Sequence, residues 1–226
     1  MVAVAVDGPS GAGKSTLSRK LAARLGFVYV DTGAMYRAVG LAALRAGADT
    51  KSEAAVAGLL PKVEVSLQYV DGEQRVLLNG EDVSEAIREN PVSMAASDVS
   101  AHPPVRAFLL DTQRRLAAES NVLMDGRDIG TVVLSNAQIK IFLSASAEDR
   151  ARRRCEELRQ RGQEVDFDAI LAEVEQRDYN DSHRAAAPLK QADDAVLVDT
   201  TGNSFEQSFG ILLDLICKRL PEEAKP

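Results

Sequence analysis

Three observations predict an α/β fold built on a parallel sheet flanked by helices. The run Val2 to Val6 has the β-branched composition of a strand buried on both faces. Strand-like and helix-like stretches alternate from the outset. The first strand is followed by a helical repeat at Leu17, Leu21 and Leu25, a strand at Phe27 to Val30, and a helix from Asp31 to near Gly47. Between the first strand and the first helix lies Gly8-Pro9-Ser10-Gly11-Ala12-Gly13-Lys14-Ser15, which fits G-x-x-x-x-G-K-[ST] at every fixed position. In such sheets ligands gather at the carboxyl ends of the strands.

The loop has a direct chemical reading. Its glycines let successive backbone N–H groups turn inward, and the following helix adds the positive end of its dipole, making a nest for a nucleotide phosphate. Gly8 to Ser15, with Thr16 on the first helical turn, are the expected ATP-binding residues. Lys14 would reach the β- and γ-phosphates as a point charge, and Ser15 would place a hydroxyl on a bridging Mg2+. A glycine-rich turn with an incidental lysine is the bland alternative. The strand before it and the helix after it, stopped by Gly26, argue against that.

At 226 residues, 45% hydrophobic and 27% charged, the chain fits one soluble domain, or one domain carrying insertions. A net charge of −7 argues against nucleic acid or an anionic membrane as partner. Any phosphate chemistry must therefore use local arginines. Cys155 and Cys217 fall in helical stretches without metal-ligand spacing. No apolar run approaches the roughly 20 residues of a membrane span, and the chain starts on a core strand, so a cytoplasmic location is expected. Pro221 to Pro226 reads as a polar tail.

Along the chain, Asp31, Thr32, Tyr36 and Arg37 fall just beyond the second strand. Thr50-Lys51-Ser52-Glu53 resembles a capping box for a short helix that Pro61 closes. Val63, Val65, Leu67 and Tyr69 then alternate with polar residues, Asp71-Gly72 supplies a turn, and Arg75 to Asn79 returns. Residues 61–84 thus read as a small antiparallel insertion in an otherwise parallel fold. Pro91 to about Ser120 is helical with a break at His102-Pro103-Pro104, which places Ser97 near the end of one helix and Arg106 near the start of the next.

Asn121 to Asp125 is a strand ending in a carboxylate, the form of a Walker B element, with Asp125 a second Mg2+ partner. Its continuation, Gly126-Arg127-Asp128-Ile129-Gly130, puts two charges at a strand tip. After a strand at Ile139 to Leu143, a helix capped at Ser146 carries Arg150, Arg152, Arg153 and Arg154, followed by Arg159 and Arg161. Such a run is ordinarily a solvated face; in a phosphate enzyme it could also serve a mobile lid. The next helix delivers Arg177, Asp181 and Arg184 at i, i+4 and i+7, on one face. A last strand at Ala195 to Asp199 and a helix capped at Ser204 close the chain.

Held triphosphate and metal imply phosphoryl transfer, and the acceptor decides the reaction. An alcohol acceptor needs a carboxylate base, for which Asp31 is the candidate. A nucleoside monophosphate needs none, because its phosphate, with a second pKa near ~6, is already largely ionised. What it needs is positive charge on the transferring group. The abundance of Arg37, Arg127, Arg177 and Arg184 favours a phosphate acceptor. A binding or regulatory module that holds nucleotide without turnover is the remaining alternative.

Four segments together resemble the bacterial cytidylate kinases. They are Gly8 to Thr16, Asp31-Thr32-Gly33-Ala34-Met35-Tyr36-Arg37, Asp125 to Val133, and Arg177-Asp178 through Arg184-Ala185-Ala186-Ala187-Pro188-Leu189. Glu81-Asp82-Val83-Ser84 and the hairpin before it resemble that group's insertion. The resemblance spans nearly the whole chain and implies the P-loop nucleoside monophosphate kinase fold as one domain over 1–226, with a nucleotide-binding insertion around 61–84 and a helical lid around 147–165. It implies ATP-dependent phosphorylation of CMP and dCMP with Mg2+, by a monomer.

By similarity, Tyr36, Arg37, Arg127 and Arg184 would surround the acceptor and its phosphate with Thr32 in the same pocket, and Lys14, Arg127 and Arg184 would be catalytic. Ser97, Arg106 and Asp128 would read cytosine, whose 4-amino group donates to a carboxylate where uracil presents a carbonyl. Arg177 and Asp181 would hold the sugar, and Arg150 and Arg154 belong to the lid. Ser15 stands where some relatives carry Gly, and Thr32 where some carry Ser; both keep compatible chemistry.

Overall fold

The computed structural model describes residues 1–70, 72–160 and 162–224. Asp71 of the expected turn, Arg161 of the basic run, and Lys225 and Pro226 of the tail lie outside the described residues. The chain divides into two compact units, Met1–Val28 with Asn121–Pro226, and Tyr29–Ser120.

In the first unit, strand β1 (Ala3–Asp7) runs parallel between β6 (Val122–Gly126) and β7 (Ile139–Ser144). Strand β8 (Val196–Asp199) pairs parallel outside β7. With β2 (Val28–Asp31), in which the division between the units falls, the sheet order is β2-β6-β1-β7-β8. Val4, Ala5 and Val6 are almost wholly buried, as the β-branched run predicts. A fully buried valine is worth about 1.5–3 kcal/mol, so this central strand anchors the unit. The register places Asp7 level with Gly126 and Phe142. The strand ends that matter for ligands therefore share one edge.

Among the described residues, helices α1 (Lys14–Leu25), α6 (Ala147–Gln160), α7 (Phe167–His183) and α8 (Phe205–Arg219) complete this unit. Leu17, Leu21 and Leu25 form the buried side of α1, and Gly26 ends it in the left-handed region at φ 69°. Ser204 and Gln207 form both bonds of the expected capping box on α8. Cys155 is buried, Cys217 is half-buried, and both are free thiols.

The second unit holds α2 (Thr32–Arg45), α3 (Glu53–Ala57), α4 (Asn90–Ser100) and α5 (Pro103–Glu119). Its antiparallel sheet is β3 (Val65–Val70), β4 (Glu73–Leu78) and β5 (Glu81–Asp82). Met35, Val39, Val76, Leu78, Val99 and Leu109 belong to its apolar core. Helices α2 and α4 approach closely at Gly40, where an added Cβ would lie 2.9 Å from the Ala96 nitrogen.

Several local expectations change. The cap of α3 is Ser52, which accepts from Ala55 N–H, while Thr50 donates its hydroxyl to Asp98. That helix ends at Ala57, and Pro61 sits in a separate 3-10 turn, Leu60–Lys62, where its missing N–H costs nothing. The insertion gains a third strand, β5, too short to show a period. Arg184 follows α7 with extended backbone (φ −63°, ψ 142°), so it does not share the helical face of Arg177 and Asp181.

Candidate active site

The phosphate loop joins β1 to α1. Gly8 has φ +149°, and a Cβ there would lie 2.0 Å from the Leu143 carbonyl oxygen at the end of β7, so only glycine fits. Lys14 opens α1, is 6% exposed, and donates from Nζ to the Pro9 carbonyl at 2.7 Å. Burial first, then the Arg127 guanidinium, push its ammonium down to about 7, against the pull of Asp125, Asp181 and Asp7. A bound polyphosphate would supply the negative charge that restores its proton.

Ser15 donates its hydroxyl to Asp125 Oδ2 at 2.8 Å. The two residues expected to hold Mg2+ are therefore together, at the start of α1 and near the end of β6. A hydroxyl and a carboxylate are hard oxygen donors of the kind Mg2+ takes, leaving its other positions to phosphate oxygens and water. The donor set fits that ion.

Just past Asp125, the segment 126–130 is held by a residue the motif reading passed over. Asp7, at the end of β1, accepts from the backbone N–H of Ile129 and of Gly130, each at 2.7 Å. Burial pushes its carboxyl up to about 6, although both backbone donors stabilise the charged form. The signal was available: a carboxylate ends an apolar strand next to the first loop glycine. Ile129–Val133 then forms one turn of π-helix, not open loop.

This arrangement fixes the two strand-tip charges. Arg127 donates from Nε to Asp181 Oδ2 at 2.7 Å, linking the tip of β6 to α7. Burial pushes the Asp181 carboxyl up, but Arg127, Arg177 and Arg184 outweigh it and hold the group below its usual range. Asp128 and Arg184 are buried, with Oδ1 and Nη2 3.5 Å apart, and Arg184 Nε donates to the Ala187 carbonyl at 2.8 Å. Arg127, Asp128, Asp181 and Arg184 are thus brought together in the first unit, with Arg177 close enough to bias Asp181.

The basic helix departs from expectation. Arg150 is buried, and its guanidinium serves the Ala145 carbonyl at 2.9 Å, the Ser10 carbonyl at 3.0 Å, and both carboxylate oxygens of Asp178. It is a built-in support rather than an arm poised over a ligand. Arg153 binds the Thr200 carbonyl at 2.9 Å and pairs with Asp149. Arg154 makes an exposed pair with Glu157 at 2.9 Å.

In the second unit, Thr32 is the buried first residue of α2. Asp31 caps that helix by accepting from Ala34 N–H at 2.8 Å, and its other oxygen takes Arg37 Nη2 at 2.9 Å. The Arg106 guanidinium lies 5.6 Å from the centre of the Tyr36 ring, and its Nη1 donates to the Ser100 carbonyl at 3.2 Å. Ser97, on α4, accepts through its carbonyl from Ser100 Oγ at 2.9 Å.

The chain matches the family model described as "Cytidylate kinase" over residues 4–218. A protein named cytidylate kinase from Syntrophotalea carbinolica is 50% identical over 216 residues, covering 96% of this chain and 92% of that protein. The one from Geobacter sulfurreducens is 49% identical, with 99% and 95% covered. The one from Pasteurella multocida is 47% identical, with 99% and 98% covered. Among solved structures, an uncharacterized protein from Eubacterium ventriosum superposes with a TM-score of 0.53 at 12% identity, covering 96% of this chain and 98% of that one. That last likeness concerns the fold alone.

Proposed function

This chain belongs to the cytidylate kinase family, and from that premise we propose that it transfers the γ-phosphoryl group of ATP in line to CMP and dCMP, giving CDP and dCDP. It is a kinase acting on nucleoside monophosphates. The observation that carries the choice of base is a buried carboxylate, Asp128, at the tip of β6 with Arg184 as its neighbour and Arg127 beside it in sequence. A carboxylate in that place accepts from the cytosine 4-amino group and repels the uracil carbonyl.

The backbone of Gly8 to Ser15, with Thr16, cradles the donor phosphates, and Lys14 follows the γ-phosphoryl group as charge moves onto it. Ser15 and Asp125 would hold Mg2+, which when bound would supply positive charge to the donor phosphates. Arg127 and Arg184 supply positive charge to the incoming phosphate and to the equatorial oxygens in the transition state. Arg177 and Asp181 hold the sugar hydroxyls. In the second unit, Thr32, Tyr36, Arg37, Ser97 and Arg106 are assigned to the acceptor, the last through its base. Residues 1–226 act as one monomeric catalytic domain, with the nucleotide-binding insertion at 61–84 and the lid at 147–165. Arg154, half-buried and paired with Glu157 three residues on, is the better lid cation, since such pairs contribute roughly 1 kcal/mol or less.

An alcohol acceptor with Asp31 as base is disfavoured by geometry. Both oxygens of Asp31 are engaged, one with the N-terminus of α2 and one with Arg37. ADP release measured with CMP, dCMP, UMP, AMP and simple alcohols separates the readings. Stimulation by CMP and dCMP is expected, and stimulation by an alcohol alone would replace this proposal with the Asp31 mechanism. Among the described residues no helix is long and apolar enough to cross a membrane.

A further inference from the structure

We propose that Arg150 and Asp178 form a buried strut joining the phosphate loop to helix α7, so that filling the donor site tightens binding at the acceptor site. The two sites are those of the proposed ATP:CMP transfer, on which this inference rests. Arg150 is 3% exposed, and the contacts of its guanidinium run in three directions. Nε reaches the Ala145 carbonyl after β7, Nη1 reaches the Ser10 carbonyl in the middle of the phosphate loop, and both terminal nitrogens meet Asp178 on α7. The stem of the same side chain lies against the loop backbone. A Cβ at Gly11, where φ is +77°, would come within 3.2 Å of Arg150 Cβ.

Asp178 is the neighbour of Arg177 and lies one turn before Asp181, which takes Arg127 at 2.7 Å. A continuous line of polar contacts therefore runs from the Ser10 carbonyl through Arg150 and Asp178 into α7, and from Asp181 to the tip of β6. Phosphates drawing the loop N–H groups inward bias the orientation of the Ser10 peptide, and the strut transmits that bias to the helix holding Arg177 and Asp181. The planar fork serves the Ala145 carbonyl, the Ser10 carbonyl and both carboxylate oxygens at once. A methionine keeps the stem and none of these bonds, whereas a lysine nitrogen at the Nη1 position would keep both contacts that Nη1 makes. The coupling is reciprocal by linkage, so CMP must tighten the donor site by the same factor.

Calorimetric titration of CMP, with and without a non-hydrolysable ATP analogue and Mg2+, reads the coupling in the full-length chain. In the wild type the analogue should tighten CMP binding by about five- to tenfold. In Arg150→Met and Asp178→Asn that ratio should fall close to one, while CMP alone and the analogue alone bind within about threefold of the wild type. A protein that merely lost stability would weaken each nucleotide singly and leave the ratio in place. Should Arg150→Met fail to fold, Asp178→Asn, which keeps size and shape, reads the same quantity. Retention of the wild-type ratio in a folded variant overturns the strut, as does a ratio of one in the wild type. No CMP binding to the wild type under any condition overturns the acceptor reading instead.

Discussion

Removing one charge from the Arg127–Asp181 pair should be felt throughout the first unit. In Asp181→Asn the shape is kept, but Arg127 loses a carboxylate 2.7 Å from its Nε, where the two side chains are 20% and 9% exposed. Breaking a buried ion pair by deleting one partner costs about 3–5 kcal/mol. Because a fifth of Arg127 still meets water, about 2–3 kcal/mol is the better figure here. For a chain of this length that lowers the melting temperature by roughly 5–10 °C at pH 7. The pH dependence has a definite sign. A carboxyl held below its ordinary 3.8 stabilises the fold above that pH and loses this contribution as pH falls through its lower folded value. The gap between wild type and variant should thus be full at neutral pH and close in acid. Melting by circular dichroism at pH 7, repeated in the Arg127→Gln background, checks it. An unchanged melting temperature in Asp181→Asn, or losses that simply add in the double variant, would refute the buried-pair account.

Asp7 should behave in the opposite sense. Its folded carboxyl is raised from 3.8 to about 6, so its contribution is fullest below pH ~4 and is lost as pH rises through ~6, by up to about 3 kcal/mol. Urea unfolding at pH 4.5 and 7.5 should therefore show the stability gap between wild type and Asp7→Asn shifting with pH; an equal gap at both values contradicts the assignment. Gly40→Ala should destabilise the second unit by about 1–3 kcal/mol despite alanine's better helix propensity, because the new methyl meets the α4 backbone at 2.9 Å. A higher melting point would mean that the helices part freely. Asp128→Asn should lower the ratio of CMP to UMP turnover, since an amide can donate as well as accept, and an unaltered ratio removes Asp128 from base recognition.

What could be read from the residues alone was whatever depends on short-range pattern. The glycine spacing of the phosphate loop, the i, i+4, i+8 leucines of α1 with their Gly26 stop, and the Ser204–Gln207 capping box each encode a local geometry in adjacent positions, and each folds as expected. Ser15 and Asp125 could be paired across 110 residues because both belong to motifs with a shared chemical task. Asp178 as the partner of Arg150 could not, because a basic helix looks the same whether its charges are solvated or consumed. Only the packing of α6 against α7 reveals which arginine turns toward Asp178. Arg184 misled for a related reason: a helical period extrapolates past the point where the helix stops. Gln113, 1% exposed within α5, lies at i+8 and i+4 from the buried Val105 and Leu109, so its position marks the buried face where its polar side chain does not.

The decisive measurement is ADP formation from Mg-ATP on addition of each nucleoside monophosphate to the purified full-length chain. Saturable stimulation by CMP and dCMP, well above that by UMP or AMP and absent when Lys14 is changed to Met, is the expected result. A rate with CMP no greater than with ATP alone would contradict the assignment of the arginine cluster and Asp128 to a cytidine monophosphate.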